Sequence, residues 1–83
     1  MVELNYFEIA ILKVMHSRRL YGAKHIRMEK VMKSGFMPHQ YGDAKNAIYS
    51  LVKKSFVVYA KKAKGAVQLN IELLAEIQDI IRS

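Results

Sequence analysis

The chain has 83 residues, a net charge of +7 and no cysteine. That length makes one small domain with a modest core, so residues 1–83 are read as a single unit. The missing cysteines exclude a disulfide framework and any thiolate metal site, and apolar runs such as Ile9 to Leu12 are too short to span a bilayer.

A first helix is predicted from Tyr6 to His16. Asn5 suits its N-cap and Glu8 stands three residues on, as a capping box requires. Phe7, Ala10, Ile11, Val14 and Met15 form its apolar face, and Ser17-Arg18-Arg19 ends it with cations near the negative end of the helix dipole. Leu20-Tyr21-Gly22 is an extended link and turn. A second helix is predicted from Ala23 to Ser34, with Met28, Val31 and Met32 inward and Lys24, Arg27, Lys30 and Lys33 outward; Ile26 fits this face less well. Gly35 then suits a left-handed residue after the helix end.

The segment from Phe36 to Gly42 is a loop around Pro38, the one proline. A third helix is predicted from Asp43, or from as early as His39, to Lys54, with Ala44, Ala47, Ile48, Leu51 and Val52 as its stripe. The period then changes. Residues 56–60 are β-branched and aromatic, as a strand prefers. Residues 61–65 read as a hairpin turn, and residues 66–71 alternate as its return strand. A last helix is predicted from residue 71 or 72 to Ile81. The class is therefore mainly α with a β-hairpin (α+β), in the order helix, helix, helix, hairpin, helix.

Charge is distributed unevenly along these elements. From Lys13 to Lys64 there are thirteen basic and two acidic residues, a net of +11, whereas Glu3, Glu8, Glu72, Glu76 and Asp79 against Arg82 give the flanks −4. The centre should attract a polyanion and the ends should not. Helix two, the loop and helix three form a candidate helix-turn-helix, whose second helix lies in the DNA major groove. Away from its stripe, helix three carries Lys45, Asn46, Tyr49, Ser50 and Lys53, with Gln40 and Tyr41 at its entrance. Asn46 has the chemistry to bond an adenine edge, and Lys45 to reach guanine or phosphate. Lys61, Lys62 and Lys64 on the hairpin turn suit phosphate contacts. The same lysines also guard an edge strand against aggregation, and the two roles are compatible.

Two stretches then resemble a known family. Leu51-Val52-Lys53-Lys54-Ser55-Phe56-Val57, the basic turn and Val67-Gln68-Leu69 resemble the end of the recognition helix and the wing of winged-helix transcription regulators. Ile11-Leu12-Lys13-Val14-Met15 and Leu20-Tyr21-Gly22-Ala23-Lys24-His25-Ile26 are similar to the first helix and second-helix entry of the PadR-like branch. The resemblance covers nearly the whole chain and implies a winged-helix fold and DNA binding. Ser55 stands where that family has glycine, and the loop from Gly35 to Gly42 is longer than a minimal turn.

Other chemistries find no support. His16, His25 and His39 stand nine and fourteen residues apart with no cysteine nearby, so neither metal nor cofactor is expected. The glycines match no phosphate loop, and no spacing suggests a catalytic triad, so no enzyme is expected. The start, Met1-Val2-Glu3-Leu4-Asn5, has no basic and apolar leader regions, and a cytoplasmic location is expected. The expected function is sequence-specific binding of double-stranded DNA, in the manner of a transcription regulator. The alternatives are an RNA-binding, ribosome-associated winged helix and a protein–protein module. A purely interacting module has no need of the basic centre. Leu73, Leu74, Ile77, Ile80 and Ile81 give the last helix an apolar stripe, for which a homodimer joined through residues 72–81 is the expected cover, the alternative being that the helix completes the core of the monomer.

Overall fold

A computed structural model describes residues 3–82; Met1, Val2 and Ser83, and with the first two the reading made of the N-terminal start, lie outside the described residues. The first helix, α1 (Tyr6–Ser17), opens with the capping box intact. The Asn5 side chain accepts from the Glu8 N–H at 2.9 Å, and Glu8 Oε1 accepts from the Asn5 N–H at 3.0 Å. Ile11, Leu12 and Met15 are fully buried on its inner face. Phe7, Ala10 and Val14, from the predicted face, are half-buried at its margin, and Leu12 takes a central place that the spacing did not assign.

The second helix is shorter than the periodicity predicted. A strand precedes it, β1 (Ile26–Arg27), and α2 runs over Met28–Gly35. The strand exists because Ile26 and Arg27 pair antiparallel with Val67 and Ala66 across the sheet. This pairing also explains why Ile26 sat off the helical stripe. Gly35 is likewise corrected: it is the last residue of α2, and the backbone leaves through an extended Phe36 (φ −139°). Its lack of a side chain serves packing instead, since a Cβ there would lie 3.0 Å from Val14 Cγ2 on α1.

A 3₁₀ turn, Pro38–Gln40, leads into α3 (Tyr41–Lys53), which starts between the two predicted positions. Ala44, Ala47, Ile48 and Leu51 are buried as predicted, and Val52 packs at the edge of the core. Ser55 adopts φ +73°, the left-handed conformation for which glycine is the unstrained choice. The hairpin follows as β2 (Val57–Lys61) and β3 (Ala66–Leu69), joined by a 3₁₀ turn over Lys62–Lys64 and a left-handed Gly65 (φ +63°). Register runs from Val57 opposite Leu69 to Tyr59 opposite Val67, then skips a residue so that Lys61 faces Ala66. Such a bulge sharpens the local twist. The sheet is thus three-stranded and antiparallel in the order β1-β3-β2, not a lone hairpin.

After Leu69 the chain makes another 3₁₀ turn, Ile71–Leu73, capped by the Asn70 side chain, and closes with α4 (Leu74–Arg82). The class is α+β: among the described residues, four α-helices with a small antiparallel sheet. Helix α1 packs against α2, α3, α4 and β3. Among the described residues no helix is long and apolar enough to cross a membrane.

Ile77 is fully buried within the single chain, so it is not a surface residue of α4. Leu73, Leu74, Ile80 and Ile81 are half-buried and keep part of their surface. Ile77→Ala should therefore cost about 2–5 kcal/mol of unfolding free energy in urea titration, and Ile77→Glu should unfold the chain. A stable, folded Ile77→Glu variant would place this residue outside the core.

Candidate nucleic-acid interface

Packing the alanine-rich stripe of α3 inward turns Lys45, Asn46, Tyr49 and Lys53 outward, all exposed. Tyr49 is 44% exposed, and Lys45 Nζ stands 5.9 Å from its ring centroid. The two residues are one turn apart, and the ring face attracts the ammonium. The hairpin turn repeats the device: Lys62 Nζ lies 5.9 Å from the Tyr59 ring. Lys61, Lys62 and Lys64 are all exposed there. Each tyrosine steadies a cation that still faces solvent.

The turn and α3 are brought onto one surface by the start of α2. The Met28 N–H donates to the Gly65 carbonyl at 3.0 Å, tying α2 to the hairpin. Arg27, Met28, Glu29, Met32, Lys45, Tyr49 and Gly65 then line a cleft of about 150 Å³. A second, more open cleft of about 370 Å³ is lined by His25, Ile26, Arg27 and Lys30. The cationic surface therefore extends from the hairpin turn across α3 to the entry of α2. Arg27 faces both clefts, and its place beside α3 was not legible from helical spacing. The visible signal was Ile26, out of phase with the helix assigned to it.

Other predicted residues have different surroundings. Gln40 Oε1 accepts from the Met37 N–H at 3.0 Å and closes the turn before α3. Tyr41 is half-buried against the core. Both shape the entrance of α3. Ser50 belongs to the α1 side, where its Oγ donates to Glu8 Oε2 at 2.9 Å.

Among the described residues Glu8 is the buried charged one, 2% exposed. Its Oε2 also meets Lys54 Nζ at 2.9 Å, and Lys54 Nζ reaches the Glu3 carbonyl at 3.2 Å. Burial acts to raise the Glu8 pKa. The Asn5 backbone N–H, the Lys54 ammonium and the Ser50 hydroxyl outweigh it, and the carboxyl is held below its ordinary 4.5. Lys54 is thereby committed to a structural ion pair, away from the cationic face of α3.

Among the described residues no cluster of histidine and acidic side chains could hold a metal ion. Comparison with protein families, with curated proteins and with solved structures found no match to this chain.

Glu8→Ala should destabilise the chain by about 1–3 kcal/mol at neutral pH, since it strands the Ser50 and Lys54 donors. A lowered folded pKa means stability that is complete above the ordinary value and lost as pH falls through the folded one. The gap between wild type and variant should thus close on acidification. Urea titrations across that range measure it, and a gap independent of pH would deny the carboxylate its role.

Proposed function

We propose that the chain is a winged-helix protein that binds double-stranded DNA and serves in transcription regulation. Helix α3 enters the major groove, which is about 12 Å wide and admits a helix. Lys45, Asn46 and Tyr49 face base edges, with Lys53 on the same exposed side. Lys61, Lys62 and Lys64 contact phosphates beside the groove, positioning the protein without reading sequence.

The observation that carries this reading is the convergence of three elements on one cationic surface. Lys45 and Tyr49 of α3, Arg27 at the entry of α2 and Gly65 of the basic turn line a single cleft. The order of the helices and the hairpin, three helices, then the hairpin, then a last helix, supports this reading. The basic centre supports it further, because the carboxylates Glu72 and Glu76 are exposed on the chain's last segment, outside that centre.

Pairing of two copies through the surface left on Leu73, Leu74, Ile80 and Ile81 belongs to the proposal. It would set two α3 helices on successive turns of a palindromic site. Sedimentation equilibrium should give a dimer, and a monomer would remove this part alone.

The test is competition between duplex DNA and duplex RNA at one salt concentration, followed by a salt titration. Duplex DNA should win, with a log–log slope growing by about 0.9 for each phosphate neutralised. Replacing Lys61, Lys62 and Lys64 together by alanine should weaken binding to every sequence alike and flatten the slope. An unchanged slope would take the turn out of the contact surface, and preference for duplex RNA would overturn the DNA reading.

A further inference from the structure

The cleft between α2, α3 and the turn differs in composition from the basic surface around it. Met28 and Met32 are half-buried on its α2 side, and the partly exposed Tyr49 ring lines it from α3. Arg27 and Lys45 stand exposed among these residues. Glu29, one of two acidic residues in the whole basic centre, lines the same cleft.

Each of these groups restricts what can occupy the space. The two thioethers and the face of the Tyr49 ring offer contact to an apolar group. Two cations attract a molecule that is anionic as a whole. A carboxylate repels phosphate and accepts from an N–H or O–H donor; on the major-groove edge of a base pair the donors are amino groups. The occupant is thus an apolar group of small size, near an amino group, on a polyanion. The major-groove edge of an A·T pair presents this set, the thymine 5-methyl and the adenine N6 amino group on one base pair. Uracil has no such methyl.

The geometry points to this cleft as a reader of thymine: Met28, Met32 and Tyr49 receive the 5-methyl group, and Glu29 accepts from the adenine amino group of the pair. The assignment rests on the proposal that α3 lies in the major groove of DNA. It adds α2 to the elements that read sequence, and it makes DNA chemically distinguishable from RNA at a single base.

The experiment replaces thymidine by deoxyuridine, one position at a time, in a duplex enriched by the wild-type protein from a random pool. The exchange removes a methyl group and leaves every hydrogen-bonding group in place. Binding should weaken about fourfold at the position read by the cleft, the size expected for one buried methyl. The salt slope should stay unchanged. Tyr49→Ala, at an exposed position, should bind the two duplexes alike, and Met32→Ala gives a second variant with the same expectation. Equal binding of thymidine and deoxyuridine duplexes by wild type at every position overturns the cleft assignment and leaves DNA binding standing. Variants that keep the full penalty also overturn it. A protein that enriches no duplex overturns both the assignment and the proposed function.

Discussion

Apolar packing between α1 and α3 is non-directional and does not by itself fix how one helix is rotated on the other. The Glu8 carboxylate removes that freedom. Its Oε1 belongs to the cap of α1, and its Oε2 takes Ser50 and Lys54 from α3. One side chain therefore fixes the start of the first helix and the rotation of the third. Ser50 and Lys54 are one turn apart, so the two bonds define a line along α3. The outward aim of Lys45, Asn46 and Tyr49 follows from that line.

The second constraint is the short pairing of Ile26 and Arg27 with β3. Two residues make a weak strand alone, yet they set where α2 begins and hold that start against Gly65. Without β1 the entry of α2 has no fixed relation to the hairpin turn, and Arg27 has no fixed relation to α3. Close packing elsewhere keeps α2 in place, since Gly35 brings the α2 backbone against Val14. The cationic surface is a product of these two attachments rather than of lysine content.

Burial divides the last segment. Ile77 completes the core beneath α1, while its half-buried neighbours leave an apolar margin on the outside. The carboxylates of this segment keep its charge opposite in sign to the centre. A small chain with a strongly basic middle gains from such an arrangement, because charge of one sign spread over the whole surface would oppose compaction.

Features set by neighbours within about one helical turn were legible in the amino-acid sequence. The Asn5–Glu8 box, the stripe of α3 and a turn closed by Gly65 all follow from spacing and residue type, whereas Ser55 stood out only through the family resemblance. The basic centre was equally legible, because charge needs no partner to be counted. Three features depended on residues far apart in the chain. Strand β1 needs an edge offered by β3, some forty residues later. Glu8 finds Ser50 and Lys54 at separations of 42 and 46 residues. The cleft needs α2, α3 and the turn already docked. A hydrogen bond across such a distance leaves no periodic trace in sequence, since neither partner's local conformation requires it. Local propensity thus determined which elements form and which faces are apolar. Only tertiary packing decided how those faces turn, because rotation and register are set where separate elements meet.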